Sequence, residues 1–296
     1  MKNTQLTFKK KLIDAENIIH AVFLILGLIT VGSVLLITVY LIISGLPAIL
    51  KIGFFKFMFG KTWASTAATP QYGILPFILT SIYGTGGAIL IGVPLGFFTA
   101  AYLAKLAPKK LKNAVESAVS LLAGIPSVVY GLVGMLFLVP AIRKVFNLPD
   151  GSSLFAAIIV LAIMILPSII KVSLTALEAV PKEYEDASLA LGATDIETYF
   201  RVSVPAAKSG IAAAVVLGVG RAIGEAMAVM MVSGNAPNMP SIFESVRFLT
   251  TAVASEMSYS AGLQRQALFS IALVLFLFIM LINAALNFLL KRDKEK

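Results

Sequence analysis

Cysteine is absent from this 296-residue sequence, and histidine occurs once, at His20. The first absence excludes disulfides, a thiol nucleophile and thiolate-ligated zinc. The second excludes a histidine-rich metal site. No G-x-x-x-x-G-K-[ST] stretch is present to cradle nucleotide phosphates, and neither H-E-x-x-H nor G-x-S-x-G occurs. An intramembrane protease or a lipid-processing hydrolase is therefore disfavoured, and any ATP hydrolysis must reside on another protein. Charge is also scarce, at 13% against about 25% in soluble domains. What fills the chain instead is apolar: 58% of the residues are hydrophobic and the mean hydropathy is +0.93. This is the composition of an integral membrane protein. The apolar runs reach the ~20 residues that a helix needs to cross the hydrocarbon core, and the ~10-residue alternation of a β-barrel is missing. In such a chain a net charge of +9 reports topology, not nucleic-acid binding.

Six helical spans are expected, at about 18–44, 73–103, 118–141, 154–176, 209–233 and 267–290. The second is long and interrupted by Pro76, Gly84, Gly86, Gly87, Gly92, Pro94 and Gly96. In the third, Pro126 either kinks the helix or breaks it and exposes backbone donors at Ser127. The organisation is then a tail (1–17), a first span with an external loop (18–72), a membrane-spanning core (73–290) and a second tail (291–296). With an even number of spans the termini share one side. That side carries fifteen of the 24 Lys and Arg residues, among them Lys9, Lys10, Lys11, Lys109, Lys110, Lys291 and Arg292. The positive-inside rule puts both termini in the cytoplasm. The first span is too long for a cleaved signal peptide and reads as a retained anchor.

Two stretches outside the spans stand out. Phe54, Phe55, Phe57, Phe59 and Trp63 alternate with Lys51, Lys56 and Lys61 in the first external loop. They read either as an interfacial segment along the outer leaflet or as a loop packed on the helix ends. The longest cytoplasmic connection, 177–208, reads as two short helices around a tight turn. Pro181 opens the first, Glu183, Glu185 and Asp186 complement its dipole, and Gly192 ends it. Thr194 or Asp195 caps the second, and Pro205 halts it before the fifth span. Such a surface suits a groove on a soluble partner.

In the fifth span Arg221 and Glu225 lie four residues apart within an otherwise apolar run. A charge at this depth costs roughly 2.5–3.5 kcal/mol on insertion scales. On one continuous helix the pair would share a face. It is then either part of a polar transport path or an internal ion pair that fixes packing. Gly220 and Gly224 add a small-residue face for close helix contacts.

The 177–208 loop resembles that of the binding-protein-dependent ABC importer permeases, whose pattern is E-A-A-x3-G-x9-I-x-L-P. Here Asp186-Ala187-Ser188 is followed after three residues by Gly192, and after nine more by Val202-Ser203-Val204-Pro205. The departures are Asp for Glu, Ser for Ala, and Val for Ile and Leu. The run Gly124-Ile-Pro-Ser-Val-Val-Tyr-Gly131, with Phe59-Gly-Lys-Thr-Trp63 and Tyr72-Gly-Ile-Leu-Pro76, is similar to the PstC-type phosphate permeases. Arg221-Ala-Ile-Gly-Glu225 looks like an R-A-x-G-E motif shared with sulfate and molybdate permeases.

The resemblance implies an all-α, six-span type I importer permease whose 177–208 loop is the coupling helix seated on an ATPase. It implies a transport subunit for inorganic phosphate, or alternatively for sulfate, molybdate or tungstate, in a bacterial or archaeal cytoplasmic membrane. The implied partners are a homologous second permease, two ATP-binding subunits and an extracytoplasmic phosphate-binding protein, with membrane lipid around them and no nucleic acid. No cofactor or metal is expected on this chain, because ATP and magnesium belong to the ATPase. A stand-alone channel or secondary carrier is the competing class, and the coupling-loop pattern argues against it.

Overall fold

The computed structural model describes the backbone of residues 2–292, with side chains from 19 to 286 and at Phe288. The side chains of the N-terminal lysines and of Lys291 and Arg292 lie outside the described residues, as does the rest of the 293–296 tail. Five helices are long and apolar enough to cross a membrane, and a bent pair brings the number to six.

The first helix, α1, runs Lys2–Ile52, and its apolar stretch is Ile19–Ile52. It packs along the last helix, where Gly45 lies so close to the backbone of Phe269 and Ser270 that a Cβ would fall 2.9 Å from the Phe269 carbonyl oxygen. A short helix α2 (Phe54–Phe59) and a two-stranded hairpin, β1 (Trp63–Ala64) and β2 (Gln71–Tyr72), connect the first span to the second.

Helix α3 (Leu75–Lys105) is continuous, against the expectation of an interrupted span. Its glycines act as contact points instead. A Cβ on Gly87, Gly92 or Gly96 would meet Ile158, Ile165 or Ile169 at 2.7 Å. All three isoleucines lie on α7 (Leu154–Glu178), at the seven- and four-residue intervals that place them on one helix face. Ser153 caps α7 by accepting from the Ala156 N–H.

The third span differs from expectation. Helix α4 (Lys109–Gly124) ends at Ile125, which is extended like Pro126 after it, and a new helix begins at Ser127. Pro126 therefore breaks the chain path rather than kinking it. The span itself is Ser127–Val145, built from α5 (Ser127–Val133), a π-helical turn (Gly134–Leu138) and α6 (Val139–Val145). A second π turn, Tyr199–Ser203, lies in the 177–208 loop. Each π turn is followed closely by a proline, Pro140 and Pro205. Widening the turn relieves the clash between a proline ring and the carbonyl four residues earlier.

The 177–208 loop holds α8 (Lys182–Ala190), α9 (Asp195–Thr198) and α10 (Val204–Ala206). Pro205 lies inside α10 rather than ending it, and the chain turns at Ala207, bending by 66° into α11 (Lys208–Gly224). The fifth span is itself broken. Its 17 residues in α11 cover about 25 Å, short of the ~30 Å core. Beyond Glu225 and Ala226 the path continues in α12 (Met227–Val232). Helix α13 (Leu249–Glu256) then precedes the last span, α14 (Gly262–Arg292).

Candidate functional site

The two breaks meet. Helix α5 packs on α12 at Gly131, where a Cβ would lie 2.8 Å from the Cα of Ala228 and 3.0 Å from its carbonyl oxygen. Only a residue without a side chain permits this backbone approach. The Tyr130 hydroxyl reaches back across the Ile125–Pro126 break and donates to the Leu122 carbonyl at 2.7 Å.

Arg221 and Glu225 do not share a helix face. Gly224 is the last residue of α11, and Glu225 is extended, with φ −72° and ψ 128°. The one-turn offset expected from the spacing is lost, and no ion pair joins the two. Glu225 instead accepts from the Ala228 N–H at 2.9 Å through Oε1, satisfying a free donor in the first turn of α12. Its own carbonyl accepts from the Thr250 hydroxyl at 2.8 Å, which ties the break to α13. Both charged residues are half-buried. The site is thus a half-buried guanidinium and a carboxylate beside two broken spans, the arrangement in which transporters expose backbone groups at bilayer depth.

The 177–208 loop is the second element of the site. Gly192 stands at φ +87°, and its N–H donates to the Leu189 carbonyl at 2.9 Å, closing α8 as its position predicts. Thr194, not Asp195, caps α9, through a reciprocal capping box with Glu197. Asp186 and Ala187 are exposed, while Ser188 is half-buried and shares a 2.9 Å hydrogen bond with Thr198. Tyr184, Leu191, Ile196 and Phe200 present apolar surface to solvent.

This loop is fastened to the membrane helices by contacts the sequence does not announce. Glu185 pairs with Lys105 at the end of α3 and accepts from the Ser203 hydroxyl at 2.7 Å. Partial burial pulls the Glu185 carboxyl up. The hydrogen bonds from Lys105 and Ser203 and the charges of Lys105 and Lys182 outweigh it and hold the group below the ordinary 4.5. Buried Tyr199 donates to the Ala101 carbonyl of α3 at 3.1 Å. Lys112 of α4 pairs with Glu178 at the end of α7.

A buried network on the opposite face was equally hidden. Glu256 pairs with Arg247 and accepts from Trp63 Nε1 at 3.3 Å and Gln264 Nε2 at 3.0 Å. Its only signal in the sequence is a lone carboxylate in an apolar stretch. Among the described residues, no group of three or more His, Asp or Glu is placed to hold a metal ion.

Residues 92–293 match the family described as "Binding-protein-dependent transport system inner membrane component". The chain is 40% identical over 266 residues to a probable ABC transporter permease protein, YqgH, of Bacillus subtilis, covering 87% of this chain and 86% of the relative. It is 34% identical to the phosphate transport system permease protein PstC of Haemophilus influenzae, covering 86% of each chain. To PstC of Pasteurella multocida it is 33% identical, covering 82% and 81%. Among solved structures, the inward-facing MetNI methionine ABC transporter aligns with TM-score 0.60 and 19% identity over 74% of this chain and 95% of that one. A bacterial alginate ABC transporter aligns with TM-score 0.56 and 16% identity over 89% and 93%. At these identities the structures establish the fold alone.

Proposed function

This chain belongs to the binding-protein-dependent transport system inner membrane components, and from that premise we propose that it is the PstC-type permease subunit of an ATP-driven phosphate importer. It is a transport component and not an enzyme, as its relatives are named permeases. The observation that carries the substrate is the agreement, over most of both chains, with relatives named phosphate transport system permease. They favour phosphate over sulfate, molybdate or tungstate.

Arg221 and Glu225 line the path in this reading. Arg221 stays protonated and offers a planar fork of donors matched to a tetrahedral oxyanion. Glu225 holds the break in place by accepting from the Ala228 N–H. Asp186, Ala187, Ser188, Gly192 and Pro205 belong to the loop that docks on the ATPase. Its exposed apolar residues fill a groove there, and the Glu185–Lys105 and Tyr199–Ala101 contacts pass the motion to α3. The assembly pairs this chain with a homologous permease, two ATP-binding subunits that carry ATP and magnesium, and an extracytoplasmic phosphate-binding protein. This chain itself binds no cofactor. Both termini face the cytoplasm.

Two experiments test the reading. The chain lacks cysteine, so single-cysteine variants report orientation without background: Lys110→Cys is expected to react only from the cytoplasm and Thr69→Cys only from outside. The reverse labelling would overturn the topology. Labelled phosphate uptake should require the binding protein and resist excess sulfate and molybdate, and competition by either would move the assignment to another oxyanion.

A further inference from the structure

Three lysines from three separate elements converge on one cavity at the membrane face opposite the 177–208 loop. Lys51 ends α1, Lys56 lies on α2 and Lys61 precedes the hairpin. The cavity measures about 590 Å³, and its polar lining includes Thr62, Gln71 and Tyr72 but no carboxylate. None of the three lysines forms an ion pair with a described residue. Three cations around one concavity with no facing carboxylate create a positive potential that attracts an anion.

The floor is prebuilt. A Cβ on Gly73 would fall 2.4 Å from the carbonyl carbon of Gly60, so the two backbones are in direct contact. The Gly73 N–H donates to Thr62 at 2.9 Å, and the Leu75 N–H donates to Gly60 at 3.2 Å. Helix α2 is anchored inward by fully buried Phe57, while Phe54, Phe55 and Phe59 are 54%, 75% and 59% exposed. Aromatic rings presented outward beside lysines are the pattern of a segment lying at the headgroup level of a bilayer.

We infer that this cavity is a binding site for the phosphodiester headgroup of an anionic phospholipid of the outer leaflet. Lys51, Lys56 and Lys61 contact the phosphate, and the α2 phenylalanines rest among the adjoining acyl chains. The cavity volume falls in the ~300–1,000 Å³ range of small-molecule sites. The inference needs the proposed orientation only to choose the leaflet, and it does not depend on which substrate is transported.

Native mass spectrometry of the assembled transporter, released from nanodiscs of phosphatidylcholine with phosphatidylglycerol, tests it. Wild type should retain phosphatidylglycerol in preference to phosphatidylcholine. The combined Lys51→Gln, Lys56→Gln and Lys61→Gln variant should bind it about 100-fold more weakly, or ~2.7 kcal/mol. The triple Lys→Arg variant should keep it, which separates charge from folding damage. Equal retention of both lipids, or unchanged retention in the Gln variant, would overturn the site. Displacement of the lipid by inorganic phosphate would reassign the cavity to free phosphate. Displacement by the purified extracytoplasmic binding protein would reassign it to protein docking.

Discussion

Glu225 is the residue whose role the geometry redefines, and its substitution separates two mechanisms. Its Oε1 is the acceptor for the Ala228 N–H at the start of α12. Glu225→Ala removes that acceptor and leaves a backbone donor unpaired next to the α5–α12 contact. A hydrogen bond to a charged group contributes about 1.5–3 kcal/mol. Half-burial and competing water lower this toward the ~0.5–2 kcal/mol of a lost helix cap, typically about 1. Glu225→Gln keeps an amide oxygen at the same reach, so its cost is expected to stay below about 0.5 kcal/mol, the range of substitutions that leave such features intact. The Thr250 contact goes to the backbone carbonyl and survives both changes. The account therefore expects the Ala variant to melt at a lower temperature and lose most uptake, and the Gln variant to be stable and to retain uptake. Thermal unfolding of the purified transporter and uptake in proteoliposomes measure both. If Ala and Gln are equally stable and equally inactive, the carboxylate charge itself is used in transport, and the positional argument is wrong.

Other substitutions probe the remaining contacts. Gly131→Ala places a Cβ 2.8 Å from the Ala228 Cα and should destabilise by about 1–3 kcal/mol; Gly86→Ala, with nothing within 4 Å, should be neutral or stabilising, and equal melting temperatures would refute the packing argument. Gly192→Val must adopt φ +87° and should cost about 1–2 kcal/mol, seen as weaker co-purification of the ATPase from a protein that still inserts. Glu185→Gln should loosen the loop from α3 by about 1 kcal/mol, a modest figure because Lys105 is 40% exposed, and amide exchange around Tyr199 should quicken. Because the Glu185 carboxyl is depressed in the folded state, its contribution is present above pH 4.5 and disappears as the pH falls through its lowered value. Loop protection should then be flat across neutral pH and drop under acid in wild type, with that drop absent from Glu185→Gln.

The long apolar helices were legible because twenty-residue hydrophobic runs have few other physical solutions. The loop was legible for a different reason: glycine at a left-handed position and Thr194 opposite Glu197 are local chemistry, readable over a few residues. What the sequence concealed was where helices stop at depth. Glu225 follows Gly224, a residue frequent inside membrane helices, so nothing local marks a stop there, and i, i+4 spacing argues for a shared face only while the helix continues. The break is stabilised by Thr250, twenty-five residues away, which no local pattern reveals. The α3 glycines misled in the opposite sense. Read as interruptions, they are places where Ile158, Ile165 and Ile169 enter, so tertiary packing overrides their weak helix propensity. The Glu185–Lys105 pair and the Glu256–Trp63 hydrogen bond were hidden likewise, since each joins elements whose proximity follows only from the assembled bundle.

The central claim is an ATP-driven phosphate path in which Arg221 meets the anion. It is tested most directly by labelled phosphate uptake into proteoliposomes holding the complete transporter, wild type against Arg221→Gln, with ATP hydrolysis and subunit assembly measured on the same samples. The account predicts ATP-dependent uptake by wild type. For Arg221→Gln it predicts no uptake from a complex that still assembles and hydrolyses ATP. Normal uptake by the variant, or uptake by this chain without its ATPase, would contradict it.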